Sequence, residues 1–321
     1  MGDKLDLAFA MDCTGSMGSY IHSAKENIKN IVQMISSSGT SSIRFALVEY
    51  RDHPPQDRSF VTRKHDFTPD VSVMQSWLNN CSADGGGDTP EAVADALYDV
   101  LNLSWRSDAT KVSVLISDAP PHGLHNNDSF SQCPAGHDPV VISLNLAKRG
   151  IVLYSVGCGL SGDVRDFFMA IAYKTGGQYV PLSDAKNLVD VIIGGAQEEV
   201  SLEKWMAEVD AEVQRDLEGG KEIDEEELSR RIHEKMKLKG ARAKQLKRNN
   251  KQVGEMTRRA KMMSKLRTLQ EMKNFPAEGA YPPDPNIDSY RGGAEEFDIG
   301  EGEITREQAE RMVIKSKARM T

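Results

Sequence analysis

One short segment near the start of the sequence carries side chains that could bind a metal ion. Asp12, Thr14 and Ser16 follow an apolar run that ends at Met11, and a helical pattern begins directly after them. This order predicts a buried strand, a tight turn and a helix, with oxygen-bearing side chains at the carboxyl end of the strand. Mg²⁺ prefers about six oxygen ligands at roughly 2.1 Å and usually keeps several waters. The turn could supply up to three ligands, although Asp12 or Thr14 could instead cap the helix.

A second apolar strand ends on a carboxylate. The sequence VSVLISD at 112–118 closes with Asp118, which by itself would be an ordinary residue at the end of a strand. Right-handed crossovers bring the carboxyl ends of parallel strands to the same edge of a sheet. The topology therefore predicts that Asp12 and Asp118 lie close together.

A glycine-rich segment between these strands opens another predicted helix. It has the sequence GGGDTPE at 85–91, and its glycines allow the backbone to pass close to the edge of the sheet. Thr89 could contribute a hydroxyl group to a metal site. Alternatively, Thr89 followed by Pro90 is typical of a helix N-cap, and Asp88 with Glu91 resembles a capping box.

Together, the three segments resemble the von Willebrand factor A domain and its metal-ion-dependent adhesion site. The family pattern is Asp-x-Ser/Thr-x-Ser after the first strand, then Thr or Asp in a later loop, then Asp at the end of the fourth strand. Five residues fill the pattern here: Asp12, Thr14, Ser16, Thr89 and Asp118. The resemblance covers roughly residues 3–200.

The resemblance implies a role for each of these residues. The hydroxyl groups of Thr14, Ser16 and Thr89 would contact the metal, which would be Mg²⁺ or alternatively Mn²⁺ or Ca²⁺. Asp12 and Asp118 would act mainly through coordinated waters. One position would remain for an Asp or Glu side chain of a protein partner, because mostly neutral ligands leave net positive charge on the ion. The implied function is metal-dependent protein binding of the adhesion or scaffold type, without catalysis.

The narrower resemblance is to A domains that are attached to α-kinases. It is carried by the segments GGGDTPEAVADAL, from Gly85, and SDAPPHG, from Ser117. The chain has no second α/β segment long enough for a kinase domain. We therefore expect no kinase activity from it.

Two enzymatic interpretations compete with binding. A strand-end Asp followed by CTGS resembles haloacid-dehalogenase-type phosphatases, in which that Asp is the nucleophile. Thr14 stands where such enzymes carry a second, acid–base Asp, so the nucleophile has no proton donor beside it. The segment GGGDT could hold a phosphate at a helix N-terminus, but it lacks the Lys of a P-loop.

The polar segment 119–138 contains four side chains of the types that bind zinc. They are His122, His125, Cys133 and His137. Their spacing, H-x2-H-x7-C-x3-H, does not match a zinc pattern. The sequence favours a surface loop near the metal edge, whose side chains would shape the surface offered to a partner.

Apolar strands alternate with amphipathic helices over residues 5–200. The predicted strands are 7–11, 43–50, 60–67, 112–118, 151–156 and 178–181, and the predicted helices are 17–37, 71–80, 90–103, 140–148, 163–174 and 183–200. The strands are mostly continuous apolar runs, which is typical of a parallel sheet covered on both faces. This pattern predicts an α/β fold, a doubly wound and mostly parallel Rossmann-like sheet with helices on both faces.

Composition bears on the compartment. The sequence contains no run of 18 apolar residues and no apolar core of a signal peptide near its start, so we expect neither a transmembrane helix nor secretion. The four cysteines are scattered without a CxxC pair, and reduced thiols are the default inside the cell. The sequence therefore favours a cytoplasmic protein.

The composition changes beyond residue 200. We predict an A domain over 1–200, a charged helical extension over 201–273, a Pro/Gly-rich linker over 274–303 and a short helix over 304–321. A clean heptad pattern is not sustained in the extension, so a long coiled coil stays an open alternative there.

The net charge of −8 hides a strong asymmetry in this extension. Acidic residues dominate 201–229, whereas Lys and Arg dominate 230–273, and the two blocks could pair with each other. A basic helix over 230–273 could alternatively bind acidic partners, acidic lipid or nucleic acid, and the whole chain would then be a scaffold that works through its tail. No aromatic residue lies within this block, so nucleic-acid bases would lack a stacking platform.

Overall fold

The computed structural model describes residues 4–37, 42–220, 224–253, 255–276 and 295–320. Its centre is a six-stranded sheet. The strands are β1 (Lys4–Asp12), β2 (Ser42–Tyr50), β3 (Thr62–Thr68), β4 (Thr110–Ser117), β5 (Ile151–Cys158) and β6 (Gln178–Leu182). Their order is β3-β2-β1-β4-β5-β6, and every neighbouring pair is parallel except β2 with the edge strand β3.

Helices cover both faces of this sheet. They are α1 (Gly18–Ser37), α2 (Val71–Asn80), α3 (Val93–Leu101), α4 (Pro139–Lys148), α5 (Gly162–Lys174) and α6 (Leu188–Glu203). Side chains of β1 alternate between two hydrophobic cores: Leu7 packs in the core with α1, α2 and α6, and Ala8 in the core with α3, α4 and α5. The predicted doubly wound α/β fold is thereby confirmed, and the apolar run of β1 is explained by burial on both faces.

The register of the central strands places three acidic residues at one edge. Met11 of β1 lies opposite Ile116 of β4, and Asp12 lies opposite Tyr50 of β2. The chain continues to Asp118 after β4 and to Asp52 after β2. The carboxyl ends of three adjacent strands are therefore each associated with an aspartate.

The helix predicted from Pro90 begins three residues later, at Val93. Its N-cap is Ala92, which makes no side-chain capping bond. The preceding backbone is held by other parts of the chain, because the Glu91 N–H donates to the Pro120 carbonyl and the Ala92 N–H donates to the Arg51 carbonyl. The alternative interpretations, Thr89 as an N-cap and Asp88 with Glu91 as a capping box, are therefore wrong.

The chain beyond α6 forms further helices and a small sheet. These elements are α7 (Met206–Glu218), α8 (Glu225–Leu238), β7 (Arg242–Arg248), β8 (Lys251–Gln252), α9 (Arg258–Met263), α10 (Leu269–Lys273), β9 (Phe297–Glu303) and α11 (Arg306–Met320). The basic segment 230–273 is thus not one helix. Helix α8 ends before Gly240, which has φ +64°, a conformation that favours glycine.

Strand β7 exists because a distant segment pairs with it. It is antiparallel to β9, with Leu246 opposite Ile299. Residues 297–303 lie within the predicted linker, which is therefore wrong for this part, whereas residues 277–294 lie outside the described residues. Opposite charges on the two strands favour the pairing, and Arg242 and Lys244 lie 3.6 and 3.7 Å from Glu301. Local helix propensity could not reveal a partner some 50 residues away along the chain.

The acidic and basic blocks pair with each other, as the sequence allowed. Arg231 of α8 bonds Asp216 of α7 at 2.6 Å, and Lys235 bonds Glu212 at 2.7 Å. Part of the positive charge of 230–273 is therefore neutralised within the chain. None of the helices that the structure describes is long and apolar enough to cross a membrane.

Candidate metal centre

The turn after β1 is organised around the buried side chain of Asp12. Its Oδ1 accepts hydrogen bonds from the backbone N–H of Thr14, at 2.9 Å, and from the Thr14 hydroxyl, at 2.6 Å. The hydroxyl of Ser16 lies 3.4 Å from that of Thr14. Thr14 precedes a short 3₁₀ helix, Gly15–Met17, but its side chain does not cap it. The side chains of the turn therefore face each other, as in a binding site, and Thr14 does not play the alternative capping role.

The glycine-rich segment passes directly over this turn. The Gly15 N–H donates to the Gly85 carbonyl at 3.3 Å. A Cβ atom at Gly86 would lie 3.0 Å from Glu91 Oε1 and 3.3 Å from the Thr14 side chain, and φ of Gly86 is +78°. Only glycine combines this conformation with so close an approach. The segment thereby brings Glu91 next to the turn.

The cluster also contains Glu91 and Asp52, which the sequence does not identify as site residues. Both side chains are buried. Asp52 follows the end of β2 and could have been found by the same topological argument that linked Asp12 to Asp118. The sequence indicates only a capping role for Glu91. Because α3 begins at Val93, Glu91 precedes the helix, and its side chain is available to the cluster.

Burial raises the pKa values of two carboxyl groups of the cluster, those of Asp12 and Glu91. Burial raises the pKa of Asp12 from 3.8 to about 7, with smaller contributions from the charges of Asp118 and Asp52, although the bonds from Thr14 oppose this rise. Burial also raises the pKa of Glu91 from 4.5 to about 10, followed by the charge of Asp12. The buried carboxyl groups of the site therefore lack enough nearby positive charge to stabilise their ionised forms.

Asp52 has a basic partner. Its Oδ1 lies 2.5 Å from Nε2 of His122, and Nδ1 of His122 lies 3.1 Å from Asp128. Burial alone would lower the pKa of His122, but the bonds with these two carboxylates raise it above its usual value. The imidazole of His122 thus bridges Asp52 and Asp128.

The structure brings only some of the five predicted site residues close to one another. Asp12, Thr14 and Ser16 form one hydrogen-bonded group. Asp118 is half-buried at the end of β4, close enough for its charge to affect Asp12. Thr89 is exposed, and within the described residues no hydrogen bond joins it to the other four. Its place in a metal site stays a prediction.

The donor atoms fit a hard divalent cation. Asp12 Oδ2, Asp52 Oδ2 and Glu91 Oε2 are buried, and none has a hydrogen-bond partner among the described residues. Burying an ionised carboxylate without a partner costs several kcal/mol. Carboxylate and hydroxyl oxygens are the ligands that Mg²⁺, Mn²⁺ and Ca²⁺ prefer, so a cation of this class would relieve the cost.

The predicted surface loop 119–138 is buried at its start, over residues 119–124, and mostly exposed beyond residue 125. His122 and Cys133 are buried, whereas His125 is partly exposed. The loop is held down because His122 bonds Asp52 and the Cys133 thiol donates to Asp95 of α3, with 3.2 Å between Sγ and Oδ2. The four residues do not form one cluster: His122 belongs to the carboxylate centre, and Cys133 lies beside α3.

Comparison with known families agrees with the fold. The family model described as the von Willebrand factor A domain matches residues 6–184, which is more than half of the chain. The chain belongs to the von Willebrand factor A domain family. The A domain thus accounts for the six-stranded sheet and for the edge at which the carboxylates gather.

Two relatives show the contexts in which similar A domains occur. The α-protein kinase vwkA of Dictyostelium discoideum is 28% identical over 183 residues, covering 57% of this chain and 28% of the kinase. A putative ariadne-like RING finger protein of Acanthamoeba polyphaga mimivirus is 28% identical over 193 residues, covering 58% of this chain and 19% of that protein. The chain therefore matches less than a third of the length of either relative.

Two solved structures that match the chain are a pilus adhesin and a matrix protein of the mussel byssus. The pilus adhesin SpaC of Lactobacillus rhamnosus GG, in its open conformation, has 14% identity and a TM-score of 0.47, covering 62% of this chain and 30% of the adhesin. Proximal thread matrix protein 1 of the mussel byssus, solved with a zinc-occupied MIDAS motif, has 18% identity and a TM-score of 0.41, covering 61% of this chain and 46% of that chain. These similarities concern the fold alone.

Proposed function

We propose that the A domain is a protein-binding module that recognises an acidic side chain of its partner through a divalent metal ion. The ion would be held by Asp12, Thr14, Ser16, Thr89 and Asp118. Mg²⁺ is the preferred occupant and Mn²⁺ or Ca²⁺ the alternatives, because all five side chains offer oxygen. When bound, the ion would supply the positive charge that attracts the partner's carboxylate.

The observation that carries this proposal is the unpaired oxygen of Asp12. Asp12 is buried, one of its oxygens is bonded by Thr14 and the other has no partner among the described residues. Ser16 is exposed on the same turn, and its hydroxyl lies 3.4 Å from that of the buried Thr14. A cation at this edge would thus be reachable by another protein.

Binding is favoured over phosphoryl chemistry by the same geometry. A phosphatase of the type considered above needs an acid–base group two residues after its nucleophile. That position is Thr14, and its hydroxyl donates to Asp12 itself. We therefore propose no catalytic role for the turn.

Calorimetric titration with Mg²⁺ and Mn²⁺ tests the metal site. We expect the wild-type chain to bind either ion and the Asp12→Ala/Asp118→Ala double variant to lose binding while keeping its circular dichroism spectrum. Asp108→Ala is the matched control, since Asp108 is an exposed aspartate that pairs with Lys4. Equal binding by the double variant and the wild type would contradict the proposed site.

A second titration tests the partner class. A peptide with a single accessible Glu should bind the Mg²⁺-loaded wild type, and EDTA or Glu→Gln in the peptide should each abolish binding. Binding that survives EDTA would contradict recognition through the metal. It would then direct attention to the charged segment beyond residue 200.

A further inference from the structure

Beside the carboxylate centre, three side chains converge on one point, and a fourth, that of His137, lies close to them. His53 follows β2, Asp95 lies in the first turn of α3, and Cys133 and His137 come from the segment before α4. His53 Nε2 lies 2.9 Å from Asp95 Oδ2, and Cys133 Sγ lies 3.2 Å from the same oxygen. His137 Nε2 lies 4.0 Å from the other oxygen of Asp95.

The separations of these atoms match the size of a tetrahedral zinc site. Ligand atoms bonded to zinc at about 2.0–2.3 Å in a tetrahedron lie roughly 3.3–3.8 Å from one another. The ligand atoms of His53, Asp95 and Cys133 all lie within 4.8 Å of one another, and Cys133 Sγ is 4.0 Å from His53 Nε2. Shifts of less than about 1 Å would place these ligand atoms at bonding distance from one ion.

The backbone around Cys133 is arranged to support a thiolate. The segment Cys133–His137 has the sequence CPAGH, and the Gly136 N–H donates to the Cys133 carbonyl at 2.9 Å. This turn aims the backbone N–H groups of Ala135 and His137 at the Cys133 sulfur. Hydrogen bonds to the sulfur favour its charged form, which is the form that binds metals.

Burial gives the cluster a reason to take up a cation. The side chains of His53, Asp95 and Cys133 are almost fully buried, whereas His137 remains a quarter exposed and stacks on Tyr98. The Cys133 thiol donates its proton in a hydrogen bond to Asp95, with 3.2 Å between Sγ and Oδ2. Metal binding would replace that proton, which would leave to solvent.

We propose that His53, Asp95, Cys133 and His137 bind one zinc ion that fastens the segment 119–138 to α3 and to the end of β2. Two imidazoles, one thiolate and one carboxylate form a ligand set typical of zinc, and four protein ligands make a closed, structural site. The partly exposed His137 gives the ion its entry route. The site is independent of the proposed adhesion metal, which uses none of these residues.

The zinc would also steady one wall of the carboxylate centre. His122 lies in the fastened segment and bonds Asp52, and its ring lies 5.8 Å from that of His53, between the ring centroids. Removing the zinc should therefore loosen the contact between His122 and Asp52 before it unfolds the sheet.

Cobalt substitution of the full chain tests the proposal. Metal-free protein is titrated with Co²⁺, which in a tetrahedral site with a thiolate ligand gives intense visible bands and a near-ultraviolet sulfur-to-cobalt band. We expect the wild type to show both, and Zn²⁺ to displace the cobalt. We expect Cys133→Ser to lose the sulfur band, and His137→Ala to weaken binding more than about 10-fold, since even residues that only support a ligand are worth roughly 10–100-fold.

Matched variants separate this site from the others. His125→Ala removes a histidine of the same segment that lies outside the cluster, and it should bind cobalt as the wild type does. The Asp12→Ala/Asp118→Ala variant should keep the sulfur band as well. The proposal is overturned if folded wild type shows no sulfur band, or if the band survives Cys133→Ser. If the band survives Cys133→Ser, the cobalt-binding thiolate must lie elsewhere. Cys13 and Cys81 would then be the candidates, because they lie together with Glu49.

Discussion

At the scale of single residues, Asp12 is the side chain on which the candidate centre depends. Its two oxygens have opposite environments: Oδ1 accepts two hydrogen bonds from Thr14, and the buried Oδ2 has no partner among the described residues. With a pKa of about 7, the carboxyl group stands between its charged and neutral forms at physiological pH. A bound divalent cation would shift this protonation equilibrium toward the charged carboxylate.

The pH dependence of stability in metal-free protein should reveal this residue. A folded-state pKa of about 7 against 3.8 when unfolded means that the folded chain holds the proton more tightly. The stability that Asp12 contributes is therefore complete below about pH 4 and is lost as the pH rises to about 7. Asp12→Asn cannot ionise, so at about pH 8 in EDTA we expect it to be more stable than the wild type by about 2–4 kcal/mol.

Urea unfolding at about pH 4 and pH 8 measures the effect. The two proteins should differ little at the acidic pH, and Mg²⁺ at the alkaline pH should stabilise the wild type more than the variant. If the free energies of unfolding of the two proteins differ by the same amount at both pH values, Asp12 ionises normally in the folded protein.

At the scale of elements, α11 is anchored to the A domain by a buried polar network. Arg311 bonds Glu198 at 3.0 Å and the Tyr154 hydroxyl at 2.8 Å, and it also pairs with Glu199. Gln308 of the same helix bonds Glu198 at 2.7 Å. The helix begins at a capping box, in which the side chains of Thr305 and Gln308 each accept a hydrogen bond from the other residue's backbone N–H.

Removing the guanidinium should destabilise the whole chain. In Arg311→Ala, Glu198 and Glu199 would remain buried without their main cation, and losing one partner of a buried pair typically costs about 3–5 kcal/mol. Arg306→Ala on the same helix is the control, because its ion pair with Glu226 is largely exposed and should cost less than about 1 kcal/mol. Equal urea midpoints for the two variants would refute this role for Arg311.

At the scale of the whole molecule, the chain beyond α6 completes the cores of the A domain. Leu246, Val253 and Phe297 belong to the core under α1 and α6. Met263 and Met272 belong to the core under α3, α4 and α5. A third core lies between α7, α8 and α11. Because the first two cores draw side chains from both parts of the chain, we expect the parts to unfold together.

Truncation tests this coupling. A chain that ends at residue 203 would expose the apolar surface against which β7, β9, α9 and α10 pack, and each buried large side chain is worth about 1.5–3 kcal/mol. We expect the truncated chain to aggregate or to unfold at a clearly lower urea concentration, and the full chain to show one cooperative transition. Two separate transitions in the full chain, or an undiminished midpoint after truncation, would instead support an independent domain ending near residue 200.

The sequence by itself determined the A-domain fold and the first part of its candidate centre. These depend on local patterns, namely apolar runs that alternate with amphipathic helices and a D-x-T-x-S turn at a strand end, and parallel topology then brings Asp12 and Asp118 to one edge. Local patterns reveal these features because burial on two faces requires a continuous apolar run and a turn requires particular side chains, both within a few residues of sequence.

Only the tertiary structure decided the remaining features, because they join segments that are far apart in the sequence. The basic block contains a strand since β9 pairs with it across some 50 residues, and that pairing outweighs its helix-forming composition. Glu91 enters the carboxylate cluster since Pro120 and Arg51 hold the backbone ahead of α3. Cys133 meets His53 and Asp95, which lie far from it in the sequence, because the sheet, α3 and the segment before α4 converge there.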